Sequence, residues 1–497
     1  MKVLVNRIAA ALSLGVFAAT PLVAQNAAST CDPTANTKGD IAKAQFSMTR
    51  AISVSDKGNP TKDLQDVLRL ADNGTDNPAA RSYLRGEAYV IYLMQPNTPA
   101  VVPRSALGLT TNPTGTIDLF AAADSSFTVV EKALPECATL VTQWRQQKPW
   151  LNTLNAAINA LNANQLDSAE TFAKRSLLLD RHAPYAYSVL GSIAESRKDM
   201  TAASAYWKQA LDAAGTDTTY ADVRTKTMYE IASAASARAD AAAGAAKRAA
   251  AHDAIKPWQD YIAVANNDLL LADAIDNSAR MYYAAGDSVS IPTIYASMLA
   301  NPSKYGELTL VHAGVVATRN GHQPDASKLF DAALAQNPYS RDAINNLAAT
   351  YIQNNELTKA FPLIDKLMTI DPNNPDNQML YAFAYQGLYK GTKDKKLQKM
   401  YTDSLVYWNN KSESAPVKVA VTEFTRRATE TTVAGTIENR GTAPKTYNLS
   451  MDLVDKTGSV IDTQTVTVGP VAPKSAKTFR FTSPKGGAYG YKYKPVT

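Results

Sequence analysis

Apolar residues along most of this chain return three and four positions apart, and near its end they return every second position. Ala203, Trp207 and Ala210 fall at i, i+4 and i+7 and so share one face of a helix. The same periodicity gives helices over Ile41 to Ile52, Ala79 to Leu93, Asp118 to Ala133, Leu151 to Asn162 and Gln165 to Leu179. Pro184 opens another, where its missing N–H costs little. Prolines mixed with Thr, Asn and Gly make Gln95 to Thr116 a loop. Residues 218–256 are alanine-rich, and alanine is the strongest intrinsic helix former, so longer, close-packed helices broken near Ala243-Gly244 are expected. Leu269 to Ala285 and Ile291 to Leu299 continue the helical pairing. After Ser412 to Pro416 the period changes. Tyr447, Leu449, Met451 and Leu453 alternate with polar residues as in a half-buried strand, and Phe479 and Phe481 flank Arg480 in the same way. With a turn at Lys456-Thr457-Gly458, this tail reads as a β-sandwich of about 80 residues.

A longer period lies over the helical one. Ala169 is followed 34 positions later by Ala203, and Ala326, Phe330, Ala333 and Pro338 recur 34 positions on as Ala360, Ile364, Leu367 and Pro372. A helix-turn-helix unit of that length cannot bury its apolar face alone. It stacks on its neighbours into a solenoid with a long inner groove, which suits binding better than catalysis. The expected organisation is a signal peptide over 1–24, degenerate helical repeats over 38–148, an α-solenoid over 149–412 and a sandwich over 413–497.

Lys2 and Arg7 precede an apolar run from Ile8 to Thr20 and the small-residue stretch Leu22-Val23-Ala24, the order of a secretory signal. The run is shorter than the ~20 apolar residues of a membrane span, and no later stretch is apolar enough, so no integral membrane segment is expected after cleavage. The mature protein is then exported: periplasmic if the cell has two membranes, secreted if it has one. Cys31 and Cys137 are the only cysteines, and an even count in an exported chain permits a disulfide. Two unpaired thiols are the other reading. The net charge of +6 includes Lys2 and Arg7 of the signal, and the charges are interspersed, which argues against a nucleic-acid partner. The densest basic stretch, Lys390 to Lys399, lacks interleaved aromatics and reads as the polar face of a late helix.

The helical blocks resemble tetratricopeptide repeats. The pattern of that family falls on Ile344, Leu347, Ala348, Tyr351, Ala360, Ile364, Leu367 and Pro372, again on Leu310, Gly314, Ala326, Phe330, Ala333 and Pro338, and on Tyr187, Leu190, Gly191, Ala203, Trp207 and Ala210. The resemblance implies that the first helix of each repeat lines the groove. Its inward residues would be Tyr185, Ser188, Ser192 and Glu195, then Val311 and Val315, then Asp342, Asn345 and Ile352, then Met379 and Phe383. Asn345 has no basic partner on that face, so apolar and amide contacts to a peptide fit better than a carboxylate clamp. Met379 and Phe383 could equally cover the core of the next repeat. The tail resembles the FxLYD domain, a small immunoglobulin-like bacterial sandwich, at Met451-Asp452-Leu453-Val454-Asp455, at Gly435 to Asn439 and at Val471-Ala472-Pro473. That likeness implies no catalytic activity.

Candidate chemistry changes the picture little. His182, His252, His312 and His322 form no HExxH pattern and have no cysteine at metal-ligand spacing, so no metal is expected. Asp371 to Asp376 lacks the glycine and glutamate of a calcium loop and reads as a turn between repeats. No phosphate-binding GxxxxGK and no GxSxG elbow occurs, and no cofactor or catalytic residue is assigned. The reading is a mainly α, TPR-like solenoid with a C-terminal sandwich, a non-catalytic scaffold for peptide segments of cell-envelope proteins. An enzyme acting on envelope polymers through residues 218–300 and a purely structural spacer are the alternatives.

Overall fold

The computed structural model describes residues 31–55 and 58–496. The expected signal peptide lies outside the described residues. The chain divides into two compact units, one through Ile231 and one from Ala232.

In the first unit α1 (Gly39–Val54), α2 (Thr61–Asp72) and α3 (Pro78–Met94) pack in sequence, followed by α4 (Leu119–Ala133) and α5 (Ala138–Arg145). Helix α2 is absent from the periodicity reading, although Leu64, Val67, Leu68 and Ala71 give it a buried stripe. The segment expected to be a loop also carries structure. Strands β1 (Val101–Pro103) and β2 (Thr116–Asp118) pair antiparallel, and Asp118 then caps α4 by accepting from the Phe120 and Ala121 amides. Cys31 and Cys137 form a disulfide with Cα atoms 5.2 Å apart, tying the start of the described chain to the turn before α5. Beyond it come α6 (Lys148–Asn162), α7 (Leu166–Leu179), α8 (Tyr185–Ser196), α9 (Met200–Ala214) and the first part of α10 (Ala221–Ala241).

The second unit continues with α11 (Gly244–Val264) and α12 (Asp268–Ala285), so the alanine-rich stretch is indeed two long helices broken at Ala243-Gly244. Residues 291–299 depart from expectation. Pro292 lies in a 3-10 turn over Ser288–Ile294, and only a short α13 (Ala296–Ala300) follows. Regular hairpins then resume with α14 (Glu307–Arg319) on α15 (Gln323–Gln336), α16 (Arg341–Gln353) on α17 (Leu357–Ile370) and α18 (Pro375–Gly391) on α19 (Lys395–Glu413). The basic stretch Lys390 to Lys399 is not one helix face. It runs from the end of α18 through a break to the first turn of α19, where Asp394 caps the Lys396 and Leu397 amides.

One device sets the spacing inside the hairpins of both units. Gly191 of α8 lies against Trp207 of α9, and Gly314 of α14 lies against Phe330 of α15, each partner sixteen positions on. A Cβ at Gly314 would stand 2.5 Å from the Phe330 ring, so only glycine lets the helices close this far. Trp207 and Phe330 are fully buried as a result, each stabilising its hairpin by about 2–3 kcal/mol of apolar burial.

The chain ends in two three-stranded antiparallel sheets sharing one core. One has the order β3 (Val417–Arg426), β4 (Thr431–Asn439), β7 (Ser475–Ser483). The other has the order β6 (Val460–Val471), β5 (Lys445–Val454), β8 (Gly490–Tyr493). Leu449, Met451 and Leu453 of β5 face Val419, Val433, Ile437 and Phe479 of the other sheet, as their alternation requires. The sheets are docked against the repeats. Asn337 donates to the Tyr489 carbonyl at 2.9 Å, Asn373 donates to the Val496 carbonyl at 3.0 Å, and the Asn373 carbonyl accepts from the Val419 amide at 3.0 Å. Arg341 is the centre of this junction. It donates to the Ile370 carbonyl at 2.8 Å and the Tyr491 carbonyl at 2.7 Å, with its guanidinium 3.5 Å from the Tyr491 ring centroid.

Candidate functional site

The hairpins α14–α15, α16–α17 and α18–α19 place α16 and α18 side by side, with α17 behind them. Ser340 caps α16 through the Ala343 amide, and Asn374 caps α18 with Pro375 in its first turn, so both helices start from fixed turns. Asp342, Asn345, Ala349 and Ile352 form a stripe along α16, while Met379, Phe383, Gln386 and Lys390 form one along α18. Between the lower halves of these stripes lies a cavity of about 640 Å³. Its apolar lining comes from Ala349, Ile352, Leu380 and Phe383, and its polar lining from Gln353, Asn355, Gln386 and Lys390. Gly387 belongs to the same wall, where a Cβ would meet Leu357 of α17 at 3.0 Å.

Phe383 is 48% exposed and presents its ring in the wall of this cavity. The aromatic packing beside it is made by other residues. Phe361 lies 6.0 Å from Tyr381 and 5.4 Å from Tyr385, and Tyr381 stacks on Trp408 at 4.2 Å. Lys390 makes no ion pair among the described residues and is part of the lining of the cavity.

The opposite end of the α16 stripe is acidic. His312 of α14 hydrogen-bonds Asp276 of α12 at 2.8 Å through Nδ1. Burial pulls this imidazole down, but the bond to Asp276 and the charges of Asp276, Asp342 and Asp273 outweigh it and leave its pKa raised. About ten residues of α16, or ~15 Å at the helical rise, separate Asp342 from Ile352. The stripe thus runs from an acidic end to an apolar cavity with a lysine in its lining.

The residues expected to line a groove separate into two sets. Ile352 and Phe383 meet in the cavity; Asp342, Asn345 and Met379 lie on the same stripes outside it. Tyr185, Ser188 and Val311 are buried and face packing partners instead. The physical reason at α8 is the chain's own return. Tyr220 meets the Tyr185 ring edge-on at 5.8 Å, Asp222 lies 3.4 Å from its hydroxyl, and Thr227 reaches Ser188 at 3.5 Å. Ser192 and Glu195 are half-buried on that helix, and Val315 is half-buried on α14. Leu380, Gln386 and Lys390 were missed by sequence reasoning. The i+3 and i+4 spacing from Met379 and Phe383 carries Gln386 and Lys390 and could have found them.

Several carboxylates of residues 232–300 are engaged by neighbouring groups. Asp240 pairs with Arg280, Asp260 with Lys256, and Asp268 accepts from the Leu308 and Thr309 amides at the start of α14. No group of His, Cys, Asp and Glu among the described residues could hold a metal ion, and no described helix is long and apolar enough to cross a membrane.

The helical hairpins and their shared close-contact positions define a tetratricopeptide-like α-solenoid followed by an antiparallel sheet region. Residues 319–382, from the end of α14 into α18, match the family described as tetratricopeptide repeat. No curated protein matches the chain. Among solved structures it is similar to YrrB, a TPR protein with an unusual peptide-binding site, at 17% identity over 45% of this chain and 98% of that one, with a TM-score of 0.25. It is also similar to PilF of Pseudomonas aeruginosa, at 11% identity over 53% and 89% with a TM-score of 0.24. A tetratricopeptide repeat protein of Parabacteroides merdae is 13% identical over 52% and 99%, with a TM-score of 0.27. Superpositions this partial say nothing about function.

Proposed function

We propose that this protein is an exported, non-catalytic scaffold that binds an extended peptide segment of a cell-envelope protein in the groove between α16 and α18. The observation that carries the reading is the cavity between Ile352 and Phe383, a recess with apolar walls, room for more than one peptide side chain, and amides and one unpaired lysine in its lining. Apolar side chains of the peptide enter the recess and remove Phe383 from water. Gln353, Asn355 and Gln386 meet the peptide backbone, and Asn345 does the same further along. Charge sets direction: a basic residue lies toward Asp342, and an acidic residue or terminal carboxylate lies toward Lys390. Tyr185, Ser188 and Val311 belong to the packing in this reading. Export, and a periplasmic location in a cell with two membranes, is supported by the signal-like order of residues 1–24 and by the Cys31–Cys137 disulfide, since such bonds persist in oxidising compartments. The C-terminal sandwich, with its FxLYD-like residues, serves as a brace for the last repeats.

A photo-crosslinking residue in place of Gln386, in the full-length protein expressed in its own cell, tests this reading. Crosslinks to peptide segments of envelope proteins, lost when Phe383 is also changed to Ala, are expected. Crosslinks that persist without Phe383, or that arise only from probes in the sandwich, would move recognition elsewhere.

A further inference from the structure

Helix α19 ends the array with a face unlike that of a terminal helix. The outermost helix of a solenoid needs a polar outer surface, because no neighbour covers it. On α19, Met400 is 49% exposed and Tyr407 is 56% exposed, and Ser412 is its only buried residue. One side is taken up by α18, where Trp408 stacks on Tyr381. The other side presents Lys396, Met400, Ser404, Tyr407 and Lys411, spaced three and four apart on one ridge. The small Ser404 between the larger residues leaves a depression of about 460 Å³. After α19 the chain leaves for β3, and among the described residues no further helix follows it.

We propose that this face receives an amphipathic, acidic helix of a partner protein, seated as the next helix of the array. The charge on the face selects that occupant. The face carries Lys396, Lys399 and Lys411 against the single carboxylate of Asp403, and Lys396 makes no ion pair among the described residues. Lys411 lies 4.7 Å from the Trp408 ring centroid and 5.5 Å from that of Tyr407, holding positive charge beside the apolar patch. Fifteen positions, or ~22 Å along the axis, separate Lys396 from Lys411. A helix of about four turns with an apolar middle and carboxylates toward both ends matches that length. A second copy of the same face would set lysines against lysines. A lipid surface is disfavoured by Asp403, whose carboxylate, paired with Lys399 at 2.9 Å, sits in the middle of the face. The surface is separate from the groove of α16 and α18 and does not depend on it.

The test uses the full-length protein and two synthetic helices, each with leucines along one face, flanked in one by glutamates and in the other by lysines. Binding is read by fluorescence anisotropy at low and high salt. The acidic helix is expected to bind, more weakly as salt rises, and the basic helix is not. Met400→Glu with Tyr407→Glu should weaken that binding at least tenfold, with helicity and melting temperature unchanged, whereas Tyr407→Phe and Phe383→Ala should leave it intact. Failure of the acidic helix to bind, equal binding of both helices, or indifference to the paired glutamates would overturn the proposal. So would two other results: adsorption to phosphatidylcholine–phosphatidylglycerol vesicles that the glutamates abolish, assigning the face to membrane, or a dimer that they dissociate, assigning it to self-association.

Discussion

Arg341 tests whether the sheets are a separate appendage or part of the last repeats. Its guanidinium donates to a carbonyl of α17 at 2.8 Å and to one of β8 at 2.7 Å, lies over the Tyr491 ring, and stands 3.8 Å from Asp371. Asp371 is buried and also accepts from the Tyr493 hydroxyl. Burial, with the Asp371 charge behind it, holds that phenol well above its usual range, so it stays neutral and donates. Arg341→Ala therefore removes the donor to two carbonyls, a cation–π contact and the charge opposite a buried carboxylate. Charged hydrogen bonds are worth about 1.5–3 kcal/mol each, and breaking a buried pair from one side costs about 3–5 kcal/mol. These effects overlap, so the expected loss is about 3–5 kcal/mol in total. For a unit of this size that lowers the melting temperature by roughly 10 °C. Scanning calorimetry reads it from the transition of the C-terminal unit, with the N-terminal unit as an internal reference. Arg426→Ala is the control: its 3.1 Å pair with Glu307 joins β3 to α14 across the same junction but is more exposed, and should be worth less than about 1 kcal/mol. Equal small shifts for both variants would refute the view that Arg341 locks the sheets to the repeats.

Two further outcomes follow from the N-terminal unit. Burial pushes the Glu87 carboxyl up to about 8; a hydrogen bond from Tyr83 opposes this and the Asp32 charge adds to it. The folded state thus holds the proton more tightly than the unfolded one, and stability falls as pH rises from about 4.5 through about 8. Glu87→Gln should melt with the native protein near pH ~5 and above it near pH ~8, the gap in stability widening by at most about 1.4 kcal/mol for each pH unit climbed; a difference that is flat with pH would contradict this. Cys137→Ser opens a loop of 106 positions and should cost about 3–5 kcal/mol, seen as a lower melting temperature for the N-terminal unit alone. A shift confined to the other unit would be inconsistent with the bond's position.

Much of this architecture is legible because it is periodic. The 34-residue spacing and the small residue opposite a large one, Gly314 against Phe330, mark each hairpin locally, and Leu449, Met451 and Leu453 mark β5 by alternation. Helix α2 carries an equally clear stripe, but turn residues enclose it closely on both sides and hide it. What sequence could not supply is contact between distant segments. Nothing near Tyr185 announces that Tyr220 and Asp222 return to cover it, and nothing near Arg341 announces Tyr491, 150 positions away. The candidate site shows the same division. Ile352 and Phe383 are readable from repeat geometry, while the closure of the recess by Leu380 and the lysine in its lining depend on how α18 sits against α16 and α17.

The central claim is that a peptide is read in the recess between α16 and α18. Its most direct test is calorimetric titration of a crosslinked envelope segment, synthesised as a peptide, into the full-length protein and into Ile352→Ala, Phe383→Ala and Lys390→Ala. The account predicts losses of about 1–3 kcal/mol for each apolar truncation, and a smaller, salt-dependent loss for Lys390. Unchanged melting temperatures for all three are part of the prediction. Undiminished affinity in both apolar variants would contradict it.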